Sequence, residues 1–185
     1  MAGIGHNNGP SLALGLGYKR YLWSKARADL LPVLPLPVVR MRVKRAAEIG
    51  LDYKTYATVR ATTGRDVVAL LFSTNALRLF RADQALAEDR AAKLRAIQNC
   101  ARRALAVPPL SPSGLSHLAL EGAWPAPRAF APWPEMATAI AAAKAPYPAD
   151  GTLLIGDTSA DREWSLAGRL AGYLPSARFF PDATS

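Results

Sequence analysis

The last third of the 185-residue chain alternates between helical and extended patterns, and this alternation is the strongest constraint on its fold. The pattern predicts a helix over Pro134 to Lys144, a buried strand over Thr152 to Ile155, a helix over Ala160 to Leu174 and a last strand over Ala177 to Phe180. Strands that alternate with helices pair in parallel, because each crossover returns the chain to the same edge of the sheet. We therefore predict an α/β fold, a small mostly parallel sheet with flanking helices, preceded by a basic helical N-terminal part.

Two earlier segments carry apolar patterns that belong to the same layer. Val67 to Phe72 is a continuous apolar run between polar turns, which favours a buried strand followed by a short helix over Ala76 to Phe80. One buried helix over residues 66–80 is the competing interpretation, and the sequence leaves this choice open. Apolar residues at helical spacing predict a further helix over Ala87 to Leu105, ended by the prolines that follow.

Positive charge is concentrated in the first 65 residues. The chain has a net charge of +9 at pH 7, and residues 1–65 contain eleven of its 23 lysines and arginines but only three of its 14 acids. That segment therefore has a charge of +8, while the rest of the chain is close to neutral. Such asymmetry indicates an anionic partner for the basic segment, which could be nucleic acid, an anionic lipid surface or an acidic protein face.

The most basic part of this segment, residues 38–60, has the pattern of a helix, a tight turn and a second helix. The first helix is predicted from Pro37 to Ile49, with Gly50 as the left-handed residue that ends it. Asp52 is predicted to cap a second helix that continues through Arg60. Because the two helices are short and adjacent, we expect their bases to form a common exposed patch. These bases are Arg40, Arg42, Lys44, Arg45, Lys54 and Arg60.

Over Arg42 to Ala61 the pattern resembles the helix-turn-helix of DNA-binding proteins. The residues at that family's spacing are Ala46, Ile49, Gly50, Leu51 and Val59. Arg45 and Tyr56 depart from it, since the family has an apolar and a β-branched residue at these positions. The resemblance implies contact with nucleic acid through the second helix and its neighbours. The candidate nucleic-acid-binding residues are Arg40, Arg42, Lys44, Arg45, Lys54, Thr55, Thr58 and Arg60.

Polar side chains follow two of the predicted strands. One set comes directly after the apolar run that begins at Val67, and the other directly after the strand that ends at Ile155. In parallel sheets, ligands bind outside the carboxyl ends of the strands, so these residues form a second candidate site. A simpler interpretation is that the second set only caps the helix that follows it. The candidate ligand-binding residues are Ser73, Thr74, Asn75, Asp157, Thr158, Ser159 and Asp161.

The stretches IGDTSAD and LLFSTN resemble pieces of the haloacid-dehalogenase-like phosphatases. The first is similar to that family's acidic motif after its last core strand, where carboxylates hold Mg²⁺. The second is similar to its strand that ends in a phosphate-binding Ser or Thr. No predicted strand ends in Asp-x-Asp, so the nucleophile and the partner acid of the family are missing. The resemblance therefore does not lead us to predict a phosphatase.

Several other chemistries are disfavoured by composition. Cys100 is the only cysteine, which excludes an internal disulfide and a cysteine-based metal cluster and favours a cytoplasmic location. No apolar run reaches the roughly 18 residues of a transmembrane helix. The N-terminus lacks the basic and apolar regions of a signal peptide, and residues 1–11 are predicted to be a flexible tail.

The sequence thus predicts a tail over residues 1–11, a basic helical segment over 12–64 and a small α/β domain over 65–185. We expect a non-enzymatic binding or assembly protein whose basic helices engage an anionic partner, with nucleic acid first. One alternative is a protein that binds a phosphorylated ligand, or acts as a divergent enzyme, at the second candidate site. Another is a structural subunit that docks on an acidic protein. No catalytic residue, cofactor or metal ligand is predicted.

Overall fold

The computed structural model describes residues 34–181, and the chain from Arg40 onward forms one compact unit. The predicted tail and the first part of the basic segment lie outside the described residues. The helices are α1 (Leu36–Glu48), α2 (Tyr53–Thr63), α3 (Glu88–Ala96), α4 (Trp133–Lys144), α5 (Ser159–Ala167) and α6 (Ser176–Phe179). The strands are β1 (Ala69–Ser73), β2 (Ala101–Ala106), β3 (Gly122–Pro125), β4 (Thr152–Gly156) and β5 (Gly172–Pro175).

The five strands form one parallel sheet in the order β3-β2-β1-β4-β5, which confirms the predicted α/β fold. Within the sheet, the chain passes first through the central strand β1 and then outward through β2 and β3. It then returns to the other side of β1 for β4 and β5. The strand order thus reverses between β1 and β4. In open parallel sheets the crevice at such a reversal, outside the carboxyl ends of the strands, is the usual place for a ligand.

Helices cover both faces of the sheet. Successive side chains of a strand point to opposite faces, so Leu70 and Phe72 lie in one hydrophobic core while Leu71 lies in the other. The first core contains residues of α1, α2, α3 and α6, and the second contains residues of α4 and α5. The strand predicted over Thr152 to Ile155 is confirmed as β4, and Leu154 is fully buried in the second core.

The helix, turn and helix predicted around Gly50 are confirmed. Gly50 has a φ of 73°, a conformation that favours glycine, and it turns the chain directly after α1. Asp52 caps α2 by accepting a hydrogen bond from the backbone N–H of Thr55 at 2.9 Å. Gly64 ends α2 with a φ of 72°. Residues 40–63, from α1 through α2, are called the basic hairpin below.

The choice left open for residues 66–80 is settled in favour of a strand. The strand is β1, but the short helix predicted after it is wrong, because the chain forms hydrogen-bonded turns there instead. The backbone N–H of Leu77 donates to the carbonyl of Ser73 at 3.2 Å, and the N–H of Leu79 donates to the carbonyl of Thr74 at 2.9 Å. Arg78 has a φ of 55°, which ends any helical path.

The long helix predicted over residues 87–105 is also wrong. Helix α3 ends at Ala96, the chain turns at Asn99 with a φ of 53°, and β2 begins at Ala101. Because β2 is an interior strand, it carries buried residues on both faces, and such a run also fits helical spacing. The buried guanidinium of Arg103 is stabilised in this strand because it stacks on the Trp124 ring, 3.9 Å from the ring centroid.

The C-terminal elements are shorter than predicted. Helix α5 ends at Ala167, Arg169 has a φ of 50°, and the last strand is β5. The strand predicted over Ala177 to Phe180 is wrong, because residues 176–179 form α6. Within residues 34–181, no helix has the length and apolar character needed to cross a membrane.

Candidate functional site

Asp66 anchors the basic hairpin to the sheet. Its Oδ2 accepts a hydrogen bond from Nε of Arg45 at 3.0 Å. Its Oδ1 accepts from the Tyr56 hydroxyl at 2.8 Å and from the backbone N–H of Val67 at 2.9 Å. Nη1 of Arg60 lies 3.8 Å from the same oxygen. One carboxylate thus joins both helices of the hairpin to the segment that leads into β1.

Arg45 is the main link on the helix side. Besides Asp66, its Nη2 donates to the backbone carbonyls of Val67 and Asn99, each at 3.0 Å, and its Nη1 reaches Glu48 at 3.5 Å. Burial lowers the pKa of Arg45, but its neighbours outweigh this effect, with Asp66 first and Glu48 contributing, so the pKa is raised above its ordinary value. All three nitrogens of the Arg45 guanidinium therefore have partners within the protein.

Four other predicted bases remain on the surface of the basic hairpin. Arg40, Lys44 and Lys54 are exposed and Arg42 is half-buried. Among residues 34–181, no ion pair joins any of these four to an acid. They are called the free bases below. The structure thus divides the predicted patch into two anchoring arginines, Arg45 and Arg60, and four free bases.

Two of the free bases line a groove between α1 and α2. The groove has a volume of about 340 Å³, and Arg42 and Lys44 lie along it together with the side chain of Met41. Its two acids, Glu48 and Asp66, are both engaged by Arg45. The charge that remains for a partner in this groove is therefore positive.

The two threonines among the candidate residues differ in accessibility. Thr55 is only 8% exposed, and its hydroxyl lies in a chain in which Nη2 of Arg178 donates to Thr55 at 2.7 Å and Thr55 donates to the Asp52 carboxylate. Thr58 is exposed, and its hydroxyl donates to the carbonyl of Lys54 at 2.8 Å. Thr58 is therefore accessible to a partner, whereas Thr55 is not.

Lys54 lies on the other flank of α2, in a second groove. This groove has a volume of about 270 Å³ and runs between α2 and the edge strand β5. Arg178, which the sequence did not single out, also lines it and has Asp52 at 3.8 Å. Bases therefore lie on both flanks of α2, with Arg42 and Lys44 on one side and Lys54 and Arg178 on the other.

The second predicted site also forms a cluster, at the reversal between β1 and β4. Asp161 is fully buried, and its Oδ2 accepts hydrogen bonds from the Ser73 hydroxyl at 3.0 Å and from the backbone N–H groups of Asp157 and Thr158 at 2.7 and 3.0 Å. Its Oδ1 faces the Asn75 amide at 3.4 Å. These residues, Ser73, Asn75, Asp157, Thr158 and Asp161, are called the edge cluster below.

The side chains of the edge cluster form hydrogen bonds with one another and with the backbone. The Thr158 hydroxyl accepts from the backbone N–H of Asp161 at 3.2 Å, so the two residues cap α5 reciprocally. Gly156 makes this geometry feasible, because any side chain at that position would overlap the side chains of Asp161 and Tyr173. Asp161 therefore caps α5, as the capping interpretation expects. Its hydrogen bonds with Ser73 and Asn75 connect this cap to the end of β1.

The other candidate residues of the second site differ in their burial and in their hydrogen-bond partners. Thr74 is buried, and its hydroxyl accepts from the backbone N–H of Val107 after β2 at 3.1 Å. Asp157 is exposed, and its Oδ1 accepts from the Ser176 hydroxyl at 2.7 Å. Ser159 is exposed at the start of α5. Only Asn75, Asp157, Thr158 and Ser159 are thus within reach of a ligand.

The chemistry of this edge does not fit phosphoryl transfer on Mg²⁺. Both oxygens of the Asp161 carboxylate face N–H or O–H donors of the protein, whereas a Mg²⁺ ligand presents a free oxygen to the ion. Ser73 is fully buried, so its hydroxyl cannot attack an external substrate. Within residues 34–181, no three His, Cys, Asp or Glu residues are placed to hold a metal ion.

Two residues that stand out in the structure, Asp66 and Phe130, were not among the candidates predicted from the sequence. Asp66 was not predicted to hold the hairpin, although an acid directly after a basic helical segment is a natural partner for one of its arginines. Phe130 lies in the proline-rich loop PAPRAFAPWP, where it is fully exposed with a φ of 57°. An aromatic residue in a proline-rich stretch was the available signal.

Comparison with known proteins places the chain in no family. No protein-family model matches it, and neither a curated protein nor a solved structure matches it significantly.

Proposed function

We propose that the protein binds nucleic acid through the free bases of the basic hairpin. The proposal rests on one observation, which is that Asp66 pairs with two of the hairpin's arginines and leaves its other bases unpaired among the described residues. The Asp66 carboxylate engages Arg45 and Arg60 and so attaches the hairpin to the segment that leads into β1. The free bases remain on the surface without an acid partner among the described residues. Cations on helices that are held against the sheet are suited to the phosphate backbone, which supplies most of the affinity in non-specific binding.

The distribution of the bases also favours a long polyanion over a single small anion. Arg42 and Lys44 line one groove on one flank of α2, and Lys54 lines the other groove on its other flank. A phosphate chain that crosses α2 would meet bases from both helices, and it would also pass the exposed Thr58, which lines the same groove as Lys54. A small anion would contact only one groove.

The test compares two triple variants of equal charge. The first, Arg42→Gln/Lys44→Gln/Lys54→Gln, removes three free bases. The control, Arg81→Gln/Arg95→Gln/Arg169→Gln, removes three exposed bases outside the basic hairpin. Binding to fluorescein-labelled single- and double-stranded DNA and RNA is measured by anisotropy at one fixed salt concentration.

We expect the first variant to bind at least about tenfold more weakly than the control, because each phosphate contact adds to the affinity. Equal binding by the two variants would contradict the proposal, since it would mean that net charge alone matters. Stable capture of an acidic protein, with no affinity for DNA or RNA, would replace nucleic acid by a protein partner. The exposed side chains of Met41 and Val43, which alternate with the bases, would then be part of that interface.

The alternative of a phosphorylated ligand at the edge cluster has less support. The accessible charged group there is the Asp157 carboxylate, which repels a phosphate. Asp161 is fully buried, and both of its carboxylate oxygens face donors of the protein.

A further inference from the structure

A pocket lies at the carboxyl side of the sheet, away from the basic hairpin. It has a volume of about 290 Å³, which is at the lower end of the range of small-molecule sites. Its lining comes from the loop after β3 and from α4 and α5, which cover the face of the sheet opposite the hairpin. The residues used below, which we call the aromatic pocket, are Arg128, Phe130, Met136, Ser159, Glu163 and Trp164.

The walls of the aromatic pocket are apolar and aromatic. Trp164 and Met136 are nearly buried and form its inner surface, at 4% and 8% exposure. Phe130, by contrast, is fully exposed at the rim. Its backbone has a φ of 57°, a conformation that is uncommon for a bulky residue and is found preferentially at functional sites. The loop thus holds an aromatic ring in solvent beside an apolar cavity that is large enough for another ring.

The polar groups of the pocket select for a hydrogen-bond donor. Arg128 is neutralised by Glu135, whose two carboxylate oxygens accept from Nε and Nη2 at 2.8 Å each. Glu163 is exposed, and among the described residues no hydrogen bond or ion pair engages its carboxylate. Ser159 adds an exposed hydroxyl. The charge that remains for a ligand in this pocket is therefore negative.

We propose that the aromatic pocket binds a planar aromatic molecule that carries an amino group. Its ring packs between Phe130 and Trp164, as aromatic rings do in offset or edge-to-face arrangements. Its amino group donates a hydrogen bond to the carboxylate of Glu163, and such charge-assisted bonds are stronger than neutral ones. The chemistry is shared by free aromatic amines and by nucleobases with an exocyclic amino group. This site is independent of the basic hairpin, since it involves other residues and the opposite charge.

The test uses tryptamine and guanosine as probes of the two ligand sources. Each is titrated into the full-length ¹⁵N-labelled protein, and chemical-shift changes of the backbone amides are followed. Indole-3-acetate, which has the tryptamine ring but a carboxylate in place of the amine, is the matched control ligand. We expect saturable changes confined to residues 128–136 and 159–164, and an affinity for tryptamine that exceeds that for indole-3-acetate by roughly tenfold or more.

Two substitutions separate the ring contact from the amine contact. Phe130→Ala should weaken both indole ligands, whereas Glu163→Gln should weaken tryptamine and remove its advantage over indole-3-acetate. Both residues are exposed, so neither change threatens the fold. Glu88→Gln, at an exposed acid on α3, is the control and should change nothing.

The ratio of the two probe affinities identifies the source of the ligand. Tighter binding of guanosine assigns a nucleobase, and tighter binding of tryptamine assigns a free aromatic amine. The proposal is overturned if neither probe gives saturable changes, if the changes lie outside the pocket, or if Glu163→Gln leaves the preference for tryptamine intact.

Discussion

Nε of Arg45 lies 3.0 Å from Oδ2 of Asp66, and this ion pair joins the basic hairpin to the segment that leads into the central strand. It separates bases that look equivalent in the sequence. Arg45 is one residue from Lys44, yet Arg45 is engaged inside the protein while Lys44 is exposed without an acid partner among the described residues. The proposed function depends on that separation, because an anchored hairpin presents its other bases in a fixed arrangement.

The first prediction concerns the stability that Asp66 provides. Asp66→Asn removes the charge that engages Arg45 and Arg60 and one acceptor among its hydrogen bonds. We expect the free energy of unfolding, measured by urea denaturation, to fall by about 1–3 kcal/mol. The lower half of that range is favoured, because the Asp66 side chain is 34% exposed and solvent screens its charge.

Asp150→Asn provides the matched control for Asp66. Asp150 also pairs with an arginine, Arg65, but both side chains are largely exposed, at 45% and 64%. Such surface pairs contribute roughly 0–1 kcal/mol. Equal losses for the two variants would show that Asp66 is an ordinary surface partner and does not anchor the hairpin.

The second prediction concerns the interior of the sheet. Leu154 is fully buried on β4, so Leu154→Ala leaves a cavity and should cost about 2–5 kcal/mol in the free energy of unfolding. Leu166→Ala is the control, because Leu166 on α5 is 61% exposed and its replacement should cost less than about 1 kcal/mol. A loss of stability below roughly 1 kcal/mol for Leu154→Ala would be inconsistent with an interior strand.

Local signals in the sequence were sufficient for the hairpin and for β4. Gly50 and Asp52 are residue types whose turn and capping roles follow from their own chemistry, and both adopt those roles. The apolar run that becomes β4 ends at a glycine and an aspartate, so its end was also visible. In these segments the local preference and the tertiary structure agree.

In the segments that were predicted wrongly, tertiary contacts determine the secondary structure. The helix predicted over Ala87 to Leu105 would have Arg102 and Arg103 on its outer face, but Arg103 is buried on an interior strand, where its guanidinium stacks on Trp124. Asn99, three residues after α3, and Arg169, two residues after α5, turn the chain in a left-handed conformation that non-glycine residues adopt only in some contexts. The convergence of Ser73 and Asp161, 88 positions apart, followed from the prediction that both lie at strand ends, but their hydrogen bond required the structure.

The third prediction separates the two aspartates of the second candidate site. Asp161→Asn replaces a buried acceptor of several hydrogen bonds by an amide that carries its own donors, and should cost at least about 2 kcal/mol in the free energy of unfolding. Asp157→Asn keeps an acceptor for Ser176 at an exposed position and should cost less than about 1 kcal/mol. We further expect Asp157→Asn to leave nucleic-acid binding unchanged. Weaker binding by that variant would implicate the edge cluster in the function.

The fourth prediction concerns Cys100. Burial raises the pKa of its thiol to about 12, whereas a thiol in the unfolded chain has a pKa of about 8.5. The raised pKa favours the protonated form in the folded state, so this contribution to stability is complete below about pH 8.5 and disappears as the pH rises toward 12. The free energy of unfolding of the wild type should therefore fall in this window relative to Cys100→Ala. At about pH 8 the native thiol should react with a disulfide reagent far more slowly than the denatured one. Equal reaction rates would contradict its burial.

The dependence of wild-type affinity on salt is the most direct measurement of the central claim. Dissociation constants for DNA and RNA are determined over a range of salt concentrations and plotted on logarithmic axes. The proposed function predicts a linear decrease in affinity with increasing salt. It also predicts that the slope becomes shallower by roughly one unit for each phosphate-binding base that Arg42→Gln/Lys44→Gln/Lys54→Gln removes. Affinity that does not respond to salt would contradict it, as would a slope that changes equally in the control Arg81→Gln/Arg95→Gln/Arg169→Gln.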